Sequence, residues 1–386
     1  MSWREKIIDK EIDFIVEKIR LMVAEEKMTP LERFACLATK KEPDRLPIFA
    51  ASNEWAAHYI GYQLNKDFAF DSKKWIHCAL KFLERVGSDI CLPIYDIYNI
   101  GPDAMGAKVI FPEDALPEIR EPAIKTPDDL KNLKVPDPHR EGRMPLLIEA
   151  LKTLRTKIGD IIPIYTIIMG PFSWAANLRG IYNFLADLKR NPKFALDLLD
   201  IVTDAAIKYT KALNDLGFAP VALADVVASS YLLSPKQFDD FVIPPYMKIQ
   251  EALGRETFIP GAIGDYDMQA KMFQSGIGSS FNVLGMNNYT YCDRTGTEPL
   301  KEEDLVKGKT MAKKLGTSFM ANIWGQWVQV HSPREIDEEV KRVIKIVGPE
   351  WPFMVGLWYV PLGTPVENLD AFIRAIKKYG KFPIKL

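Results

Sequence analysis

The chain has 386 residues, enough for one large domain around one core. Its 50 lysines and arginines balance 51 aspartates and glutamates, and no segment concentrates cations, which argues against nucleic acid as a partner. No stretch supplies the roughly 18 consecutive apolar residues of a membrane span, and residues 1–30 lack the apolar core of a secretory leader, so a cytoplasmic protein is expected.

Ile8, Ile12, Ile15, Ile19 and Met22 recur at spacings of four and three among charged residues, which predicts an amphipathic helix over 3–27. It ends before Thr29 and Pro30, an N-cap and first-turn pair for the next helix. The first helix reads as an extension packed across the main body or against a partner chain. From Arg45 onward, short apolar runs bounded by Gly, Pro or Asp alternate with segments of helical period. The runs expected to be strands are 46–50, 90–94, 162–168, 221–224, 257–260, 280–284, 319–323 and 353–357. Eight such runs suit a (β/α)8 TIM barrel over residues 46–386, preceded by a helical extension at 1–45. The widest gap holds a Pro-rich excursion over 111–138 and then a helix over 144–158. The four cysteines, Cys36, Cys78, Cys91 and Cys292, lie far apart without a CxxC pair and read as reduced thiols. No GxGxxG or P-loop pattern indicates a nucleotide cofactor.

Several segments, in order, resemble the uroporphyrinogen decarboxylase superfamily. They are Thr29-Pro30-Leu31-Glu32-Arg33-Phe34 with Pro43-Asp44-Arg45-Leu46-Pro47; Met169-Gly170-Pro171-Phe172-Ser173 with Gly180 and Asn191-Pro192; and Ala224-Asp225 with Ser234-Pro235, Phe238, Phe241 and Pro244-Pro245-Tyr246. Pro333-Arg334-Glu335-Ile336 and Gly363-Thr364-Pro365-Val366-Glu367-Asn368-Leu369 complete the series. The resemblance implies a TIM barrel, and the departures from it point to a chemistry. Where the decarboxylases carry an arginine-rich segment that holds the tetrapyrrole's carboxylates, this chain has Ala50-Ala51-Ser52-Asn53-Glu54-Trp55-Ala56-Ala57-His58-Tyr59. Where the thiol-directed methyltransferases of the superfamily bind zinc through His-x-Cys and a later Cys, it has Phe258, Pro260 and Trp358. The resemblance that remains is to methyltransferases of O-demethylase systems, which pass a methyl group from a methoxylated aromatic to the cob(I)alamin of a separate corrinoid protein. A corrinoid (cobalamin) on a partner protein and a small aromatic substrate are therefore expected, and a homodimer is left open. A decarboxylase of another carboxylated substrate, and a non-catalytic corrinoid- or aromatic-binding protein, are the competing readings.

In a TIM barrel the chemistry sits at the C-terminal strand ends. The candidates for catalysis are His58, Glu54, Asp225 and Tyr266, and those for substrate binding are Asn53, Tyr95, Asp96, Met169, Trp324, Trp358 and Tyr359. His58, Tyr266 or Tyr359 would donate a proton to the leaving oxygen, with Glu54, Asp96 or Asp225 orienting donor or ring. Each has a plainer structural reading: Asp225 as a helix cap, Glu54 and His58 as a solvated helix face, the tryptophans as core. Asn99, Trp174, Trp327, Asn287 and Asn288 also fall at strand ends. Asp265, Cys292 and His331 are ordinary zinc ligand types following strands five, six and seven, and are the candidate for a replacement metal site.

Overall fold

The computed structural model describes residues 3–93, 95–113, 115–218, 220–261, 265–285, 298–348, 352–357 and 359–385. Nine strands are found among them: β1 (Ile48–Ala50), β2 (Lys108–Ile110), β3 (Glu118–Glu121), β4 (Ile167–Met169), β5 (Val221–Ala224), β6 (Phe258–Gly261), β7 (Val283–Leu284), β8 (Ser318–Asn322) and β9 (Phe353–Leu357). Parallel ladders run β1-β9-β8-β7 and β4-β5-β6. A bridge between Cys91 and Ile164 and a 3.0 Å bond from the Asp89 amide to the Ile48 carbonyl join the two through the run at 90–94. Helices follow the strands and cover them outside, so the chain is a (β/α)8 barrel. Strand residues from β1, β5, β6, β8 and β9 are buried along their whole length, as a parallel sheet coated by helices requires.

Among the described residues of the second run, 90–93, a single bridge forms at Cys91 rather than a full ladder. Pro93 and, on the neighbouring segment, Pro163 lack the amide that a continuous ladder needs. The Pro-rich excursion is more ordered than its composition suggests, since β3 within it pairs antiparallel with β2, which immediately precedes it.

Helix Trp3–Ala24 buries Ile12, Ile15, Ile19 and Val23 against Ile76, Leu80 and Leu83 of helix Ser72–Val86 and Leu154 and Ile158 of helix Met144–Ile158. Thr29 caps helix Pro30–Thr39 in a full capping box with Glu32, as the Thr-Pro-x-Glu pattern requires. At the N-terminal ends of the first two strands lies a buried ionic cluster. Arg33 holds Asp44 at 2.7 and 2.9 Å and Asp89 at 3.0 Å, while Arg45 holds Asp89 and Glu26. Arg33 and Asp89 are closed off from solvent, so each charge depends on its partners. This cluster accounts physically for the Leu-Glu-Arg-Phe and Pro-Asp-Arg-Leu-Pro segments: they seat the helix on the barrel floor. Among the described residues no helix is long and apolar enough to cross a membrane.

Candidate active site

The C-terminal strand ends surround a cavity of about 670 Å³. Ser52, Asn53 and Glu54 enter it from the end of β1; Asp96, Tyr98 and Asn99 follow the second run; Leu116, Pro117, Glu118 and Ile119 come from the β2–β3 hairpin region. Asn177 and Tyr182, then Asn322, Trp324 and Gln326 after β8, and Tyr359 after β9 complete the wall.

Each wall residue is placed by local bonding. Ser52 caps helix Asn53–Tyr59, its hydroxyl oxygen accepting the Trp55 amide, and the first helical turn aims Glu54 inward. Trp55 anchors the same helix by donating from its indole to the Thr364 carbonyl at 2.9 Å. Asp96 takes a left-handed φ of 62°, a conformation aspartate tolerates better than most residues. Its carboxylate receives Arg143 Nη2 at 2.8 Å and Asn99 Nδ2 at 2.5 Å, and Asn99 also reaches the Pro117 carbonyl at 2.9 Å. The hairpin segment is thereby tied to the barrel at the cavity edge.

Burial raises the Glu54 carboxyl above the usual glutamate range, against the pull of the Ser52 hydroxyl and the Asp96 backbone N–H. Burial likewise pushes Asp96 up to about 7, although Arg143 and Asn99 favour its ionised form. Tyr359 is pushed up to about 12 by burial and the adjacent Glu54. Carboxyls whose hold on a proton is strengthened by burial are groups of the kind that can supply a general acid.

The remaining candidates among the described residues lie outside this wall. His58, one turn beyond Glu54, is exposed and lies outside the cavity wall. Tyr95 packs edge-on to Phe68 at 4.9 Å, fully buried behind the wall. Met169 ends β4 buried, beside Asn177. Asp225 is fully buried and accepts the backbone amides of Phe172 and Ser173 and the Tyr246 hydroxyl at 3.2 Å, which caps helix Pro171–Arg179. Burial pushes it up to about 6. A Cβ on Gly170 would stand 2.7 Å from both Asp225 and Tyr246, so the Gly-Pro-Phe-Ser segment is a scaffold that lets this cap close. Tyr266 is buried in the helix layer, its ring against Phe319 and under Gly308.

Asp265 caps helix Tyr266–Gln274 through the Met268 amide at 2.7 Å, and His331 stacks on Trp327 with Nδ1 facing the Trp327 carbonyl. Cys292, Asn287, Asn288 and Trp358 lie outside the described residues. Among the described residues no three His, Cys, Asp or Glu side chains gather as a metal site. Phe258 and Pro260 stand in β6 with no ligating side-chain atom, so the donors present there do not fit zinc.

Sequence reasoning missed Arg143, Tyr98, Asn177, Tyr182 and the hairpin residues. Arg143 did carry a signal, being a cation at the N-cap of helix Met144–Ile158, where the helix dipole disfavours it unless an acid is near.

The uroporphyrinogen decarboxylase (URO-D) profile matches residues 29–379. The chain belongs to the URO-D family. Its relatives include a methylated-thiol–coenzyme M methyltransferase of Methanosarcina mazei, 26% identical over 80% of this chain and 78% of that protein. A methylcobamide:CoM methyltransferase (MtaA) of Methanosarcina barkeri is 30% identical over 78% of this chain and 81% of its own. A uroporphyrinogen decarboxylase of Pseudoalteromonas atlantica is 25% identical over 87% and 89%. A solved methyltransferase from Methanosarcina mazei superposes with a TM-score of 0.75 over 92% of this chain and 99% of its own at 20% identity, a shared fold. The URO-D family thus includes both decarboxylases and methyltransferases, and the site must decide between them.

Proposed function

We propose that this URO-D family member is a corrinoid-dependent methyltransferase that takes a methyl group from a methoxylated aromatic compound. The observation that carries the reading is the cavity wall, where Tyr98, Trp324 and Tyr359 stand with the carboxyls Glu54 and Asp96 and, among the described residues, no lysine or arginine. A tetrapyrrole bearing many carboxylates needs cations to bind it. A flat, weakly charged ring needs faces to stack on and a few polar groups, which this wall offers. The methyltransferase relatives support transfer chemistry, and Phe258 and Pro260 argue against a zinc-held thiol as acceptor.

The chain's own part in the reaction follows from the wall. Trp324 and Tyr359 fix the ring and bring its methoxy oxygen toward Glu54. As the methyl carbon–oxygen bond breaks, the protonated Glu54 gives its proton to that oxygen, so that the product leaves as a phenol and Glu54 is left as carboxylate. Asp96, held by Arg143, orients Glu54 through its backbone N–H. The corrinoid of a partner protein, when docked, supplies the nucleophile that receives the methyl group. The rim residues Leu116, Ile181 and Tyr182 are exposed at 39%, 39% and 91%, which suits a mouth that a partner covers.

The test mixes the purified chain with a reduced corrinoid protein and a panel of methoxylated aromatics, methylamines and methyl thioethers, following corrinoid absorbance. Demethylation of a methoxyarene is expected. Release of carbon dioxide from a carboxylated panel, or transfer from methylated corrinoid to coenzyme M, would replace the proposal.

A further inference from the structure

Three carboxyls line the cavity: Glu54 and Asp96 in its depth and Glu118 at the hairpin. Among the described residues, Arg143, Arg179 and Arg120 are committed elsewhere or face outward. Arg143 is fully buried; Nε is taken by Asp103 at 3.0 Å and Nη2 by Asp96 at 2.8 Å, and its plane lies over the Phe111 ring at 4.9 Å. It is engaged by Asp96 and Asp103 and is not among the wall residues. Arg179, next to the wall residue Gly180, is held by Asp187 at 2.8 Å and by the Lys125 carbonyl at 2.6 Å. Arg120 on β3 is exposed and outside the wall.

We infer that the cavity selects a methyl donor without negative charge, and that the carboxyl-bearing, aromatic wall sets this preference. The inference rests on the methyl-transfer reading above and deepens it by fixing the charge class of the substrate. A ligand carboxylate would leave water for a space that meets it with carboxyls and aromatic faces, whose negative quadrupoles repel it as well. A neutral ring has no such charge to desolvate. An aminomethyl group is favoured by the same features, since Trp324, Tyr359 and Tyr98 offer cation–π faces and Glu54 can ionise to meet it.

The experiment is calorimetric titration of the full chain with dimethoxybenzene, dimethoxybenzylamine and dimethoxybenzoate, which share one ring and differ in charge. The benzoate is expected to bind at least roughly tenfold more weakly than the neutral ring, and the benzylamine at least as tightly. Glu54→Gln should abolish the advantage of the amine over the neutral ring. Glu118→Gln, an exposed change that the fold tolerates, should narrow the gap between benzoate and neutral ring. A benzoate that binds as tightly as the neutral ring overturns the inference while the methoxyarene reading stands. If none of the three binds, the methoxyarene reading itself falls and the inference with it.

Discussion

Arg143 Nη2 and Asp96 Oδ2 meet at 2.8 Å with both side chains shut away from water, immediately behind the cavity wall. One residue comes from the end of the second strand run and the other from the start of helix Met144–Ile158. Their pairing fixes a left-handed aspartate whose N–H faces Glu54.

Asp96 has a folded-state pKa of about 7 against an ordinary 3.8 because burial opposes its charge. The folded protein therefore holds a proton that the unfolded chain has released between those values, and this group's contribution to stability falls as pH rises through that window. Asp96→Asn should flatten that decline. The check is the denaturation midpoint at several pH values across the window, and an unchanged slope would show that Asp96 is ionised throughout.

Glu54→Gln should lower methyl transfer from a methoxyarene by about 10²- to 10⁴-fold, the usual contribution of a positioned acid. In the native enzyme the rate should fall as pH rises through the raised pKa of Glu54, since only the protonated carboxyl can donate. A wild-type rate in the variant would assign the proton to another group, Tyr359 being next in line.

Arg33→Met removes the cation shared by Asp44 and the closed-off Asp89, and should cost about 3–5 kcal/mol by leaving buried charge without its partner. Chemical denaturation measures it. Affinity for an aromatic ligand should remain, because the cluster lies at the opposite end of the strands from the cavity.

Trp324→Ala should weaken binding of a methoxylated aromatic about tenfold, as loss of stacking worth roughly 0.5–1.5 kcal/mol adds to loss of wall area. A small aliphatic donor should hardly respond. Titration with both ligands, beside a melting curve that moves by only a few degrees, separates a substrate contact from a core residue. The same measurements on Trp358→Ala examine the position corresponding to the thiol branch's last zinc ligand.

The barrel was legible because buried parallel strands must be continuous apolar runs: 221–224 and 353–357 coincide with β5 and β9 to the residue. Capping chemistry was equally plain in Thr29-Pro30-Leu31-Glu32. The hairpin β2–β3 escaped because its strands are short, charged and only partly buried, so no alternation marks them. At the site, Asn53, Glu54, Asp96, Trp324 and Tyr359 could be placed from strand ends alone. Asp225 has the same address but turns sideways to cap the helix after β4, a pairing between neighbouring βα units that no local pattern records. Arg143 reaches Asp96 across 47 residues of sequence, and only the fold brings them together.

Glu26 sits where the two ends of the chain meet. Its carboxylate contacts Arg33 at 2.5 Å, Arg45 at 2.8 Å and Lys377 of helix Val366–Tyr379 at 2.9 Å. Burial alone would raise its pKa, but Arg45, Lys377 and Arg33 together hold it down to about 2. Glu26 thereby ties helix Val366–Tyr379 to the segment that enters the first strand. The bridge between Arg45 and Lys381 and the bond from the Leu46 amide to the Gly380 carbonyl close the same seam, so that loosening of either element breaks contacts of the other.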